Sequence, residues 1–238
     1  MNSALGTQYS YPALFVTGTD TDVGKTFVCG GLLGYLRRQG IDADYQKWVS
    51  TGSEGVPEDL AVCLKAAGKT TEARPELRAP FRFRLPASPH LAAIEERRQI
   101  DPEMILERFR ELAGRHQFLI VEGVGGVLVP LRRDLLLADF LARLQLPTLL
   151  VARSGLGTLN HTFLTLEALR TRRIPVLGVV CSDADREKNE RIICDNLRTI
   201  AEMGQVRVFG RLRRNVGHDT EPVWQAIVDA VFRGDPDD

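Results

Sequence analysis

The stretch FVTGTDTDVGKT, residues 15–26, joins the first apolar run of the chain to its first helical pattern. A glycine in the Gly-Lys-Thr triplet, residues 24–26, permits a tight turn in which successive backbone N–H groups surround phosphate oxygens. The lysine can reach β- and γ-phosphates, and the threonine hydroxyl can bind Mg²⁺. The strict pattern has glycine at position 19, where this chain has Thr19, and Gly18 lies one residue early. The stretch therefore predicts a variant phosphate-binding loop (P-loop).

Around this loop, short runs rich in Val, Ile and Leu alternate with longer segments of helical periodicity. Strands that are apolar almost throughout are typical of a sheet covered on both faces. The predicted strands are Ala13–Thr17, Ala43–Val49, Phe118–Glu122, Thr148–Ala152, Val176–Cys181 and Val206–Phe209. The predicted helices are Thr26–Gln39, Glu58–Ala67, Pro102–Arg115, Asp134–Leu144, Thr158–Arg172, Glu187–Glu202 and Pro222–Phe232. This order predicts an α/β fold with a doubly wound, mostly parallel sheet and helices on both faces.

The spacing of these elements leaves no long linker, so we expect a single domain over residues 1–238 with an ordered core of about 12–233. Helix starts are indicated at Asp101-Pro102 and Ser88-Pro89, where a capping residue precedes proline at the first helical position. Gly52–Pro57 and Gly68–Arg78 are predicted to be polar loops.

Composition excludes several classes of function. Lys+Arg and Asp+Glu both number 31, so the net charge of zero does not favour nucleic acid or an anionic membrane as a partner. The four cysteines form no C-x-x-C pair, which argues against a zinc site or a disulfide framework. No run approaches the roughly 18 apolar residues of a membrane span. We expect a cytoplasmic protein with reduced thiols.

Two classes of nucleotide-binding protein fit poorly. A signalling GTPase would carry an N-K-x-D stretch to bind guanine, and the sequence has none. Partition and septum-placing ATPases carry an additional lysine five residues before the loop lysine, where this chain has Asp20.

Five motifs, GTDTDVGKT, YQKWVSTGS, RLPASPHLAA, VEGVGGVLVP and GLGTLNH, together resemble the dethiobiotin synthetase family. They occur in the expected order over roughly residues 13 to 215, which is far more specific than one motif. The resemblance implies a homodimer that uses ATP, Mg²⁺ and CO₂ to close a cyclic urea on 7,8-diaminononanoate. Its chemistry passes through a carbamate and a carbamic–phosphoric anhydride.

The resemblance also implies roles for the residues that match the family motifs. Lys25, Lys47 and Thr21 are the expected catalytic residues, with Lys47 between the carbamate and the γ-phosphate. The family has proline after this lysine, whereas this chain has Trp48. Thr51 stands where the family has a serine that contacts substrate.

Thr26, Asp59 and Glu122 are the expected metal ligands. Glu122 ends an apolar strand at the carboxyl edge of the sheet, where ligands bind in such folds. An alternative interpretation of Asp59 is an acidic residue that complements the dipole at a helix N-terminus. The full nucleotide-binding set comprises Asp22, Val23, Gly24, Lys25, Thr26, Phe27, Asp59, Glu122, Gly123, Val124, Gly125, Ser182, Asp183, Leu212 and Arg213. The substrate set comprises Thr21, Lys47, Thr51, Gly126, Gly157, Thr158, Leu159 and Asn160.

The stretch SGLGTLNH precedes a helix whose first N–H groups can bind an anion. In the family, this helix of the partner subunit holds the substrate carboxylate, so each site would need both chains. His161 follows there, and a structural role is expected for it.

The sequence departs from the family where the adenine base is expected. The family has an asparagine after the fifth predicted strand, and this chain has Ser182 followed by Asp183. A hydroxyl cannot reproduce the paired donor and acceptor of an amide. The family stretch G-x-[IL]-P appears as GRLR, residues 210–213, without its proline. Our hypothesis is a relaxed preference for the nucleotide base.

The sequence leaves two alternative functions open. One is a related P-loop synthetase of cofactor biosynthesis, although such enzymes often carry a glutaminase domain. The other is a nucleotide-switched regulatory ATPase that binds a protein partner. Phosphate release distinguishes the dethiobiotin-forming ligase from the regulatory ATPase, because the ligase should release phosphate only when bicarbonate and the diamine are both present.

Overall fold

Ten strands occur in the computed structural model, which describes residues 11–70, 74–183, 189–213 and 220–233. Within these ranges they are β1 (Ala13–Gly18), β2 (Ala43–Lys47), β3 (Val49–Thr51), β4 (Phe81–Phe83), β5 (Phe118–Gly126), β6 (Pro130–Arg132), β7 (Leu135–Leu136), β8 (Thr148–Arg153), β9 (Val176–Ser182) and β10 (Val208–Leu212). Six of them form the central sheet in the order β10-β9-β8-β1-β5-β2, and each neighbouring pair is parallel. The predicted parallel sheet is confirmed.

Nine helices lie within the described part of the chain. They are α1 (Lys25–Arg38), α2 (Glu58–Ala66), α3 (Pro75–Arg78), α4 (Pro89–Glu95), α5 (Pro102–Ala113), α6 (Leu137–Ala142), α7 (Thr158–Thr171), α8 (Glu190–Gly204) and α9 (Glu221–Arg233). None of these helices is both long and apolar enough to span a bilayer.

The helices cover both faces of the sheet because successive β1 side chains point to opposite sides. Phe15 packs in a cluster with residues of α4, α5 and α6, which includes Phe109 and Phe140. Leu14 and Val16 pack in a second cluster with residues of α1, α2 and α9. Every residue of β1 is buried, as the continuous apolar run predicts.

One predicted strand is wrong in its length. The apolar run of residues 43–49 is divided at Trp48, because β2 ends at Lys47 and β3 pairs with β4 in a separate two-stranded parallel sheet. The Trp48 ring is buried against Phe15 and Phe140, at centroid distances of 4.8 and 5.1 Å. Burial of this ring changes the direction of the chain directly after Lys47.

The helix predicted at Asp134–Leu144 is also shorter than expected. Leu135 and Leu136 form β7, which pairs antiparallel with β6, and the helix runs only from Leu137 to Ala142. An apolar run of this length fits a strand or a helix, and the pairing with β6 decides between them.

Four further elements differ from their predicted bounds. The strand predicted at Phe118–Glu122 runs on to Gly126, so Glu122 lies in the middle of β5 and not at its end. The strand predicted at Val206–Phe209 is displaced to Val208–Leu212. The helix predicted at Glu187–Glu202 spans Glu190–Gly204, and residues 187 and 188 lie outside the described ranges. The loop predicted at Gly68–Arg78 contains helix α3, although residues 71–73 of that loop are not described.

Helix α3 forms because its side chains find partners in the interior. Leu77 is buried in the core, and its carbonyl accepts a hydrogen bond from Gln46 Nε2 at 2.7 Å. The Arg78 guanidinium donates to both carboxylate oxygens of Asp44, at 3.1 and 2.7 Å. These contacts lie far apart in the sequence, so local patterns do not reveal them.

The two predicted helix starts are confirmed. Asp101 accepts a hydrogen bond from the backbone N–H of Glu103 at 2.9 Å, ahead of Pro102 at the start of α5. Ser88 precedes Pro89 at the start of α4. The single-domain organisation stays a prediction.

Candidate active site

The loop between β1 and α1 has the tight geometry that its glycines require. Gly24 has a φ of 103°, in the left-handed region, directly before α1. A Cβ on Gly18 would lie 2.6 Å from Val23 Cγ2, so this position needs glycine for close packing. The early glycine of the variant motif therefore has a structural reason. Lys25 Nζ donates to the Asp20 carbonyl oxygen at 2.8 Å across the loop.

A cleft of about 630 Å³ opens beside this loop. It contains many of the residues that the sequence predicts, from three separate parts of the chain. Its lining comprises Thr21, Asp22, Gly24, Lys25, Thr26, Phe27, Lys47, Thr51, Asp59, Pro86, Ala87, Ser88, Pro89, Glu122, Val124, Gly125 and Val129. The volume is within the usual range for small-molecule sites.

Three oxygen-bearing side chains converge at the floor of the cleft. Thr26 Oγ1 lies 2.8 Å from Asp59 Oδ1 and 3.1 Å from Glu122 Oε1. The three residues come from the starts of α1 and α2 and from the middle of β5. Thr26 therefore lies within hydrogen-bond distance of both other predicted metal ligands.

Lys47 places a positive charge between the two carboxylates. Its ammonium contacts Asp59 Oδ2 and lies 3.0 Å from Glu122 Oε1. Burial by itself would lower the pKa of Lys47, but the Glu122 and Asp59 carboxylates outweigh burial and raise that pKa above its ordinary value. In turn, Lys47 outweighs the effect of burial on Asp59 and lowers the pKa of this carboxyl.

This donor set fits Mg²⁺. Magnesium prefers oxygen ligands and is usually held by one or two carboxylates together with substrate phosphates and water. Asp59, Glu122 and Thr26 offer only oxygen, and the ammonium of Lys47 already occupies the position of a cation between them. The described residues contain no group of three or more His, Cys, Asp or Glu side chains that could hold a metal by themselves. Magnesium sites with few protein ligands usually take the others from substrate phosphates and water.

The loop lysine has a different electrostatic environment. Burial lowers the pKa of Lys25, and the nearby Glu122 carboxylate only partly opposes this effect. Lys25 makes no contact within 4 Å with a carboxylate among the described residues, and it donates to a carbonyl instead. Its charge is thus available to an incoming phosphate.

Three predicted residues adjoin the cleft without lining it. Val23 is fully buried in the core beside α1. A Cβ on Gly123 would lie 2.9 Å from Phe15 Cζ, so core packing explains this glycine. Gly126 lies over the start of the loop, where a Cβ would be 3.6 Å from the Gly18 carbonyl oxygen.

The residues predicted to contact the base lie at the ends of β9 and β10, outside this cleft. Asp183 accepts two hydrogen bonds from Arg211, at 2.7 and 2.8 Å, and one from Ser154 Oγ at 2.7 Å. Both of its carboxylate oxygens are therefore engaged. Ser182 Oγ is buried with no hydrogen-bond partner among the described residues.

Leu212 and Arg213 complete this neighbourhood. Leu212 is fully buried, and its carbonyl accepts from the Asp183 N–H at 3.0 Å. Arg213 Nη2 lies 3.2 Å from Glu190 Oε2. Residue 182, where the family has its asparagine, is a serine in this chain.

The residues at the start of α7 also lie outside the cleft. Thr158 is buried, and its hydroxyl donates to the Arg153 carbonyl at 2.7 Å. Arg153 in turn donates to the Thr21 carbonyl at 3.2 Å, which joins this region to the phosphate-binding loop. Gly157 and Asn160 are exposed, and Leu159 is half-buried.

The sequence prediction missed several residues of the site. Tyr45 contacts Glu122, with a distance of 2.8 Å between Tyr45 Oη and Glu122 Oε2. Strand alternation could have found it, because residues 45 and 47 share one face of β2. One wall of the cleft, Pro86–Pro89, lies within the motif RLPASPHLAA, but no site role was predicted for these residues. Val129 reaches the cleft from the loop after β5; it lies within the motif VEGVGGVLVP and was likewise given no site role.

Comparison with known proteins agrees with this geometry. A family model described as an AAA domain matches residues 12–220. The ATP-dependent dethiobiotin synthetase BioD of Rhodopseudomonas palustris is 40% identical over 222 residues, which cover 93% of this chain and 94% of the relative. The enzyme of the same name from Agrobacterium fabrum is 42% identical over 213 residues, covering 89% and 91%.

Solved structures agree on the fold alone. The MinD cell division protein of Aquifex aeolicus has a TM-score of 0.53 at 14% identity and covers 93% of this chain and 95% of its own. A ParA family ATPase of Chlorobium tepidum has a TM-score of 0.51 at 14% identity, covering 93% and 91%. The α/β fold predicted from the sequence is thereby confirmed. Identity near 40% over almost the whole length, with residues of four of the five motifs gathered in one cleft, establishes that the chain belongs to the dethiobiotin synthetase family.

Proposed function

We propose that this chain is an ATP-dependent ligase that converts 7,8-diaminononanoate and CO₂ to dethiobiotin. The observation that carries the proposal is the convergence of Lys25, Thr26, Lys47, Asp59 and Glu122 in one cleft. Relatives about 40% identical over most of the chain bear the name of this activity. Biotin biosynthesis is the corresponding pathway.

The proposed reaction begins when one substrate amine attacks CO₂ and loses a proton to give a carbamate. A carbamate oxygen then attacks the γ-phosphorus of ATP, and ADP leaves. The second amine attacks the carbonyl carbon of the mixed anhydride, inorganic phosphate leaves, and the ring closes. Phosphoryl transfer of this kind depends on positioning and on neutralising negative charge.

The residues of the cleft suit these demands. The backbone N–H groups of residues 22–26 and the charge of Lys25 would hold the phosphates. Thr26, Asp59 and Glu122 would hold Mg²⁺, which neutralises charge on the phosphate oxygens when bound. Lys47 would lie between the carbamate and the γ-phosphate. Thr21, Thr51 and Gly126 would contact the substrate.

The same proposal includes a homodimer in which α7 of the partner subunit binds the substrate carboxylate. Residues 157–160 lie outside the cleft of their own chain, which favours a role in another one. Two leucines near them in the sequence are exposed, Leu156 at 86% and Leu164 at 56%. A homodimer that uses the start of α7 would cover apolar surface of this kind.

Phosphate release tests the proposed activity. With ATP and Mg²⁺, we expect release only when bicarbonate and the diamine are both present, with one dethiobiotin formed for each phosphate. A coupled phosphate assay and mass spectrometry of the product measure the two quantities. A regulatory ATPase would instead hydrolyse ATP slowly without either substrate, and release that ignores the diamine would contradict the ligase.

A relaxed preference for the nucleotide base is also proposed. Asp183 already binds Arg211 with both oxygens, and Ser182 offers only a hydroxyl. We therefore expect kcat/KM values for ATP, CTP and GTP to agree within about tenfold.

The variant Ser182→Asn provides the matched comparison for this prediction. It introduces an amide that can pair with adenine, so it should increase the preference for ATP. A wild-type enzyme that prefers ATP by several orders of magnitude would show that base selection does not depend on this amide.

A further inference from the structure

Tyr45 binds the oxygen of Glu122 that faces away from the cleft. Its hydroxyl donates to Glu122 Oε2 at 2.8 Å, whereas Glu122 Oε1 lies 3.1 Å from Thr26 Oγ1 and 3.0 Å from Lys47 Nζ. The two oxygens of one carboxylate thus have separate sets of partners. Tyr45 holds Oε2 of the carboxylate, whereas Thr26 and Lys47 contact Oε1 at the proposed metal site.

The register of the sheet fixes this arrangement. Strands β2 and β5 are parallel, with Tyr45 opposite Ile120 and Lys47 opposite Glu122. Both Tyr45 and Lys47 point to the side of the sheet that carries α1 and α2. The tyrosine therefore reaches Glu122 from two residue pairs earlier in the register.

The surroundings of this hydrogen bond are dry. Tyr45 is fully buried and Glu122 is 1% exposed, so water does not replace the phenol. The neighbouring thiols of Cys29 and Cys63 are also buried, and a thiol is only a weak donor. A tyrosine hydroxyl is protonated at neutral pH, so it serves as the donor to this carboxylate.

From this geometry we propose that Tyr45 is a positioning residue that orients Glu122 for binding the divalent cation. This inference rests on the proposed function, in which Glu122 is a metal ligand. Without the phenol, the carboxylate can rotate and its buried oxygen loses its strong donor. Mutation of a residue that hydrogen-bonds to a metal ligand typically lowers metal affinity by about 10- to 100-fold.

The test is Tyr45→Phe, which removes one hydroxyl and keeps the ring in the core. Mn²⁺ binding is measured by electron paramagnetic resonance at saturating non-hydrolysable ATP analogue. We expect affinity to fall about 10- to 100-fold. Binding of the analogue in EDTA should stay unchanged. In turnover, excess Mg²⁺ should restore kcat, because the defect lies in loading the ion.

Tyr35→Phe is the matched control. Tyr35 is also a buried tyrosine of this side of the sheet, but its hydroxyl bonds to Gln225 on α9, away from the cleft. Its loss should leave Mn²⁺ affinity unchanged. Thermal unfolding of both variants establishes that each is folded under the conditions of the titration.

A second comparison separates positioning from a general packing defect. In a Glu122→Gln background, Tyr45→Phe should add less than about a twofold further loss, since both changes act on one interaction. Equal Mn²⁺ affinity of wild type and Tyr45→Phe would overturn the inference, and so would independent, additive losses. Absence of any Mn²⁺ binding by the wild type would instead overturn the proposed metal site itself.

Discussion

Replacement of Lys47 by alanine is expected to lower kcat by about 10²- to 10³-fold while nucleotide affinity changes little. The ammonium lies against Asp59 and Glu122 at the floor of the cleft, and within the described residues it forms no hydrogen bond with the phosphate-binding loop. Its charge would therefore act mainly on the group in transfer. Phosphate release gives kcat, and calorimetry gives the nucleotide dissociation constant.

Two further lysine variants serve as comparisons for Lys47→Ala. Lys25→Ala should weaken both nucleotide binding and turnover, because Lys25 belongs to the loop itself. Lys65→Ala removes an exposed lysine from α2, the helix that carries Asp59, and should change neither. Near-normal turnover by Lys47→Ala would show that its assigned role is mistaken.

The second large effect is expected in the stability of the fold. Asp44 is fully buried and bonds to Arg78 through both oxygens, and it also contacts Lys69 at 3.0 Å and His116 at 2.9 Å. Burial opposes the charged form, but His116 and Arg78 outweigh it and hold the pKa of Asp44 well below its ordinary value. The buried carboxylate therefore stays charged at neutral pH.

Arg78→Met should consequently lower the free energy of unfolding by about 3 kcal/mol, because it leaves a buried carboxylate without its two-pronged partner. Lys69 and His116 remain in contact, which limits the loss. Urea denaturation at pH 7 measures the difference. Arg74→Met, which removes an exposed ion pair next to the same short helix, should cost less than about 1 kcal/mol. Equal losses in both variants would contradict the role given to burial.

Local chemistry made one part of the site predictable. A Gly-Lys-Thr triplet between a strand and a helix specifies a phosphate-binding loop within a few residues, and the structure has the left-handed Gly24 that this requires. Glu122 was predictable because a carboxylate in an otherwise apolar strand needs a partner. Both inferences depend on neighbours in the sequence.

Other features depend on contacts between distant segments. Asp59 and Thr26 are 33 residues apart in the sequence. By its local sequence Asp59 is typical of a helix start, and it reaches Thr26 and the cleft only because α2 packs on α1. Trp48 ends β2 because its ring is buried against Phe140, which follows 92 residues later. Neither contact leaves a mark on local periodicity, so the division of β2 from β3 was not predictable.

The position of Lys47 has a consequence for how the enzyme is loaded. Its ammonium serves as an internal counter-ion to Asp59 and Glu122, so a divalent ion that arrives alone would compete with a charge tethered at high effective concentration. An ion that arrives bound to a triphosphate brings phosphate oxygens with which the displaced ammonium of Lys47 could pair. On this proposal, joint binding of metal and nucleotide would be favoured over binding of the metal alone, and the exchange would bring the lysine toward the phosphoryl group on which it is proposed to act.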